Sequence, residues 1–158
     1  MKHLTRKLKS RGGMSLTELL AALAILALIS LAIGAGTGAA VKVHNTSVQV
    51  SEASLLESTL TAAIADELRY ATEIQPGENG TYRSAVFGAG TQLDADEDGR
   101  LTVKDNTPLV GSKTYAKGFT ADISYSYIET KKAFQVTLSI SGDTLSRKNT
   151  FSVAPING

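Results

Sequence analysis

One stretch near the N-terminus, residues 19–41, most constrains what this chain can fold into, because it contains no charged residue. Leucine, alanine and isoleucine dominate its first half. A membrane-spanning helix needs about 20 apolar residues in succession, and this stretch meets that length. The basic residues of the leading segment all precede it. By the positive-inside rule, we expect a single-pass membrane segment with a cytoplasmic N-terminus and an extracytoplasmic body.

The composition of the remaining chain argues against several classes of function. Residues 1–13 hold five basic and no acidic side chains, which leaves 11 basic against 15 acidic residues, a balance of −4, for residues 14–158. A body of that sign has no general reason to bind nucleic acid. The chain has no cysteine and only two histidines, His3 and His44. Thiol chemistry is therefore excluded and a serine triad lacks a suitable base, so we expect no enzymatic activity.

A single carboxylate, Glu18, lies at the start of the apolar stretch. A charge at the edge of a membrane segment costs free energy unless it has a partner, and such residues are usually functional. If the chain were cut after Gly13, the new α-amino group of Met14 would lie four residues from Glu18 and could meet it, within one chain or between neighbours. An alternative is an ordinary secretory signal cleaved after the apolar stretch, where the small residues at 34–38 imitate a cleavage site.

Residues 13–20, GMSLTELL, together with the basic leader and the apolar run, resemble the class III signal of type IV prepilins and type II secretion pseudopilins. The resemblance implies that residues 1–13 are a leader, that prepilin peptidase cuts after Gly13 and methylates Met14, and that residues 14–41 are a transmembrane and assembly helix. It also implies that Glu18 pairs with the amino group of an adjacent subunit. Met14 and Thr17 depart from the family's commonest residues, phenylalanine and an aliphatic residue.

The resemblance further implies a structural subunit of a type IV pilus, or of the pseudopilus of a secretion or competence system. Its partners would be other pilin or pseudopilin subunits, prepilin peptidase, the inner-membrane assembly platform and membrane lipid. After assembly the head would lie at the cell surface. Whether the subunit is major or minor, and which machine it serves, stays open at the level of sequence.

Many family members carry a proline in the middle of the anchor helix, and this chain has glycines at 34, 36 and 38 instead. Glycine costs about 1 kcal/mol relative to alanine inside a helix, which favours local melting or bending. Small residues also permit close packing of neighbouring membrane helices. The sequence supports both interpretations equally.

The chain after the anchor changes its hydrophobic period once, which predicts an α+β, pilin-like head over residues 42–158. Apolar residues first recur every three or four positions, which predicts an amphipathic helix over 42–75 that ends before Pro76 and Gly77. The stripe comprises Ala53, Leu56, Leu60, Ile64, Leu68 and Ala71. Residues 80–158 then predict an antiparallel sheet that covers this stripe.

Strict alternation of apolar and polar residues marks three strands in the second half of the head. They begin near Phe119, Phe134 and Phe151, with a loop at 129–132 and a turn at 141–143. Short connections of this kind predict an antiparallel meander. Segments 82–87 and 100–103 predict shorter strands, and we expect Tyr115, Tyr125 and Tyr127 to pack in the core or across strands rather than to form a sticky surface.

The stretch 94–105, DADEDGRLTVKD, permits two interpretations. Its spacing matches an EF-hand-type calcium loop that is most similar to dockerin loops, with acids at positions 1, 3, 5 and 12 and glycine at 6. In that scheme Asp94, Asp96, Asp98 and Asp105 supply carboxylates, and Arg100 supplies its backbone carbonyl. The other interpretation is an acidic hairpin, because Asp98-Gly99 is a strong turn signal and no amphipathic helix flanks the loop. A calcium site would also suit the alternative function, a non-polymerising, membrane-anchored extracytoplasmic binding module.

Overall fold

A computed structural model describes residues 15–116 and 118–156 of the chain. The chain divides into two units, Met1–Asn45 and Thr46–Gly158. The first unit is helical over its described part from Leu16 onward. The second unit contains the remainder of that helix and every strand. The coarse prediction of a long N-terminal helix followed by an antiparallel sheet region is therefore confirmed.

Helix α1 comprises Leu16–Arg69, and its two parts differ in what covers them. Its buried residues begin at Ala53 and recur every three or four positions. These are five of the six residues of the predicted stripe, namely Ala53, Leu56, Leu60, Ile64 and Leu68, and all are at most 1% exposed. The periodicity of the sequence thus identified the buried face of the helix correctly.

The helix ends at Arg69, earlier than residue 75, the end predicted from Pro76 and Gly77. The backbone of the next residues pairs with a neighbouring segment instead of continuing the helix. Thr72 exchanges two backbone hydrogen bonds with Arg83, and the Gln75 N–H donates to the carbonyl oxygen of Thr81. These bonds satisfy donors and acceptors that a longer helix would have used internally. Ala71, the last residue of the predicted stripe, is fully buried although it follows the helix.

The main sheet consists of three antiparallel strands, Thr120–Ile128, Ala133–Ser141 and Ser146–Val153, in that order. Its register pairs Tyr125 with Val136, and Val136 with Phe151. The predicted meander, with its loop at 129–132 and its turn after Ser141, is confirmed. Alternate side chains on the first two strands are buried and face the helix, whereas their neighbours are mostly hydroxyl-bearing and lie on the other face.

Along the chain, five short strands separate the helix from the main sheet. They are β1 Tyr82–Ser84, β2 Gly88–Thr91, β3 Asp94–Ala95, β4 Leu101–Val103 and β5 Thr107–Pro108. The three long strands of the main sheet are therefore β6, β7 and β8. Strand β1 pairs with β2, and β4 pairs with both β3 and β5. The predicted strand 82–87 is thus shorter, and 100–103 is nearly as expected. Strands β2, β3 and β5 were not predicted.

A single hydrophobic core joins the helix to the sheet within the second unit. Phe134 of β7 lies at its centre and meets the rings of Tyr82, Tyr125 and Tyr127 edge to face, with ring centroids 6.2, 6.2 and 5.1 Å away. Such geometry is favoured because the electropositive edge of one ring meets the electronegative face of another. The prediction that the tyrosines pack rather than form an exposed patch is confirmed for Tyr125, which is 2% exposed.

Candidate functional site

The start of α1 holds the one predicted assembly residue that the structure describes, Glu18. Gly13 and Met14, the predicted processing residues, lie outside the described residues. The Ser15 N–H donates to Glu18 Oε2 at 3.0 Å, and the Glu18 N–H donates to Ser15 Oγ at 3.2 Å. The Leu19 N–H donates to the carbonyl oxygen of Ser15, which is the first backbone bond of the helix. Ser15 is therefore the N-cap and Glu18 the third helical residue.

This reciprocal pair is a capping box, in which two residues three apart each satisfy a backbone N–H that the first turn leaves without an intrahelical partner. The carboxylate also lies at the positive end of the helix dipole, which favours a negative charge there. A second hydroxyl, that of Thr17, lies 2.8 Å from Ser15 Oγ. The Ser-x-x-Glu spacing is the sequence signature of such a box, whereas the predicted role of Glu18 as the partner of an amine does not depend on it.

The surface of α1 over residues 19–41 is apolar and uncovered in the single chain. No residue in its most apolar 18-residue window is buried, and by length and composition this helix can cross a membrane. Leu16 is 75% exposed and Leu31 is 72% exposed. Full burial of a leucine or isoleucine is worth about 1.5–3 kcal/mol relative to exposure in water, so a surface of this kind requires an apolar environment.

The three glycines at 34, 36 and 38 lie inside α1, which is helical throughout that stretch. A Cβ atom added to any of them would meet nothing within 4 Å. Packing within the chain therefore does not demand glycine at these positions. The helix surface is left flat there, so another helix can approach it closely.

Residues 94–103, which we call the acidic hairpin, form an antiparallel pair of strands joined by a tight turn. Asp94 lies opposite Thr102, and Ala95 lies opposite Leu101. The Gly99 N–H donates to the carbonyl oxygen of Asp96, and the Arg100 N–H donates to Asp96 Oδ1 at 2.7 Å. Gly99 has φ +68° and so occupies the left-handed region that glycine tolerates best.

The four predicted carboxylate ligands, all within the described residues, do not form a group of three or more that could hold a metal ion. Asp96 and Asp98 line one cavity, whereas Asp94 and Asp105 line a neighbouring one. The carbonyl oxygen of Arg100 already accepts the Asp96 N–H at 2.9 Å. Asp105 lies beyond β4 in a 3₁₀ turn with φ 57°. The backbone of this stretch thus forms a hairpin, in agreement with the second of the two interpretations of the sequence.

Among residues 15–116 and 118–156, no group of three or more histidine, aspartate or glutamate side chains is arranged to hold a metal ion. Asp98 instead lies 3.7 Å from the guanidinium of Arg100 at an exposed site, where such a pair contributes little to stability. Calcium binding at the acidic hairpin stays a prediction, and titration is the test.

Two tyrosine hydroxyls bind the backbone around the hairpin, one from the buried Tyr125 and one from the half-buried Tyr115. Tyr125 Oη donates to the carbonyl oxygen of Gly80 at 3.0 Å and accepts the Leu93 N–H at 3.2 Å. Tyr115 Oη accepts the Leu101 N–H at 2.7 Å. Burial raises the pKa of Tyr125 to about 12 and also raises the pKa of Tyr115. Both hydroxyls therefore stay neutral at physiological pH and serve as structural links.

A second contact that the sequence did not reveal ties the edge strand β8 to α1. Arg147 Nη1 donates to Ser54 Oγ at 2.6 Å, and Arg147 Nε lies 3.0 Å from Glu57 Oε2. The Glu57 side chain is 19% exposed. Both partners are at least ninety positions away in sequence, so no local pattern could have found this pair.

Comparison with known proteins yielded no match to a family model, to a curated protein or to a solved structure.

Proposed function

We propose that this chain is a structural subunit of a type IV pilus or related pseudopilus, held in the membrane as a precursor and built into a filament after cleavage behind Gly13. The observation that carries the proposal is the division of α1. Its residues from Leu16 to Val48 are all exposed, and buried residues begin only at Ala53. The N-terminal part of the helix thus provides an apolar surface for neighbouring subunits, and its C-terminal part provides the stripe that packs against its own head.

The apolar surface supports this function because it needs two successive environments. Before assembly, lipid would cover side chains such as Leu23 and Ile29, which are about half exposed in the single chain. In a filament core, the same side chains of neighbouring subunits would cover one another. Flat helix surface at the glycines 34, 36 and 38 would let backbones approach closely, which favours the packing interpretation of those residues.

Cleavage provides the first test. The chain is co-expressed with an active prepilin peptidase and its mass is measured. The expected product lacks residues 1–13 and begins at Met14. Gly13→Ala should block the reaction, whereas Gly12→Ala is a matched control in the same leader that should leave cleavage intact. Persistence of the full-length chain beside a peptidase that cuts a known substrate would refute the proposal.

Incorporation into sheared filaments provides the second test, because Glu18 is the proposed partner of a terminal amine. Glu18→Ala should still permit cleavage but should impair incorporation, since the buried amine loses its counter-charge. Glu97→Ala removes an equivalent charge from the exposed hairpin and is the control. Normal incorporation of Glu18→Ala would rule out the pairing role.

The same assays separate the filament subunit from a membrane-anchored module that never polymerises. The module would keep its head outside the membrane and the acidic hairpin as a binding element, but it would need neither cleavage at Gly13 nor Glu18. Cleavage without recovery in filaments, in cells that assemble them, would favour the module.

A further inference from the structure

The carboxylate of Glu18 is held in place by its own chain before any neighbour reaches it. We propose that Ser15 is a positioning residue for assembly: it fixes Glu18 in a capping box that survives cleavage and leaves one carboxylate oxygen available for the terminal amine of a neighbouring subunit. This inference rests on the proposed function for its assembly step, whereas the box itself rests on two hydrogen bonds, Ser15 N–H to Glu18 Oε2 and Glu18 N–H to Ser15 Oγ.

The carboxylate of Glu18 can accept more hydrogen bonds than the box uses. An ionised carboxylate has two oxygens with about four lone-pair positions. The Ser15 N–H uses one of them, on Oε2. The bond therefore partly satisfies the charge near the membrane surface without consuming the group, and Oε1 remains able to accept a charge-assisted bond from an ammonium group.

Cleavage after Gly13 breaks the Gly13–Met14 peptide bond, which is not part of the capping box. The Ser15 nitrogen is the amide of the Met14–Ser15 peptide bond, and it keeps its proton when the leader leaves. The new amine on Met14 is separated from that nitrogen by only the Cα and carbonyl carbon of Met14. The box thus directs the carboxylate toward the end of the helix where the new cation arises, in the same chain and in a neighbour docked beside it.

Chemistry allows the cap and the ion pair to be separated. Glutamine can replace glutamate in a capping box because its side-chain oxygen also accepts the N-cap N–H. Glu18→Gln therefore keeps the box and removes the charge. Ser15→Ala does the opposite, because it removes the acceptor of the Glu18 N–H and keeps the carboxylate. Ser15→Thr keeps both and serves as the conservative rescue.

The box is tested by amide hydrogen exchange on the full chain in lipid nanodiscs. Loss of an N-cap serine typically weakens a helix start by an amount that corresponds to about five-fold in an equilibrium constant. We expect Ser15→Ala to speed exchange of the Glu18 amide by roughly that factor. Glu18→Gln and Ser15→Thr should exchange like the wild type. Equal exchange in Ser15→Ala and the wild type would refute the box, whether or not the chain forms filaments.

The positioning role is tested by incorporation of the same variants into filaments, with cleavage and thermal unfolding of the head as controls. Ser15→Ala should be cleaved, should keep a stable head and should incorporate less than the wild type, with recovery in Ser15→Thr. Wild-type incorporation of Ser15→Ala would overturn the positioning role. If the wild-type chain itself is neither cleaved nor incorporated, the proposed function fails, and the positioning role fails with it. The hydrogen-exchange experiment still shows whether the capping box forms.

Discussion

Replacing Tyr125 by phenylalanine should destabilise the head strongly while leaving its core volume nearly unchanged. The ring keeps its contact with Phe134, but the hydroxyl is lost. Its two partners, the Leu93 N–H and the carbonyl oxygen of Gly80, lose their hydrogen bonds. A buried polar group without a partner costs about 1–3 kcal/mol. Leu93 is 1% exposed whereas Gly80 is half-buried, so the first loss is the larger one.

The expected total is about 2–4 kcal/mol, since the two losses add and water can reach only the second group. At about 4 °C per kcal/mol for a domain of this size, the Tm of the head should fall by about 8–15 °C. The assay is thermal unfolding of the full chain in detergent micelles, followed by the near-ultraviolet circular dichroism of the tyrosines. The chain has no tryptophan to obscure that signal.

Tyr70→Phe is the matched control, because it makes the same chemical change at a residue that is 47% exposed. Surface substitutions of this type usually change stability by less than about 0.5 kcal/mol. Equal Tm values for Tyr125→Phe and Tyr70→Phe would refute the reasoning, since they would mean that the two hydrogen bonds contribute nothing net.

The same residue predicts an alkaline pH dependence. Burial raises the pKa of Tyr125 from 10.0 to about 12, so the folded state keeps this proton when the unfolded state has lost it. Its contribution to stability is therefore complete below about pH 10 and is lost as the pH rises toward about 12. Tyr125→Phe should unfold less steeply over this range. Some slope remains, because burial also raises the pKa of Tyr82.

Three further predictions concern the helix stripe and the acidic hairpin. Leu60→Ala should cost about 2–5 kcal/mol in urea unfolding, whereas Leu55→Ala, at a residue on the same helix that is 67% exposed, should cost far less; similar losses would contradict the assigned buried face. Gly99→Ala should lower the Tm, because its Cβ would lie 2.5 Å from Thr120 Cβ and its φ is +68°; an unchanged Tm would mean that the turn relaxes freely. The hairpin geometry predicts no rise in Tm at millimolar calcium, and a concentration-dependent rise would instead support the calcium loop.

The sequence predicted the helix stripe and the three-stranded meander because both depend on long, regular periods. Leu56, Leu60 and Ile64 recur at helical spacing, and β6 and β7 alternate over nine residues each. Such patterns indicate which residues are buried, since one face of a helix or strand must be apolar to pack on another element. Neither pattern depends on knowing the partner element.

Apart from β4, the strands between Ser84 and Thr114 were not predicted, because they have only two to four residues. So short a strand shows no period, and its backbone partners decide its conformation. The early end of α1 has the same cause, because Thr72 pairs with Arg83 rather than with the preceding turn. Contacts across long separations, such as that between Arg147 and Glu57, leave no trace in local sequence.

The acidic stretch shows how one spacing can serve two structures. Alternate acids followed by glycine meet the requirements of a calcium loop. They also meet those of a hairpin turn, which needs a glycine at positive φ and an aspartate that accepts a backbone N–H. Asp96 and Gly99 fill those two roles. Within the same stretch β4 is a central strand, since Thr102 pairs with Asp94 on one side and with Pro108 on the other. The spacing of the acids alone therefore does not decide between the two structures, and calcium binding stays a prediction.

The same logic applies to Glu18, whose position suggested an unpaired charge at the mouth of an apolar helix. The capping box gives the carboxylate a partner without any second molecule, because the Ser15 N–H donates a hydrogen bond to Glu18 Oε2. A neighbouring amine then does not have to rescue a buried charge; it has only to add a stronger bond to a carboxylate that is already oriented. Under the proposed function, the precursor needs no second molecule to satisfy Glu18, and the amine that cleavage creates would add a further favourable interaction on assembly.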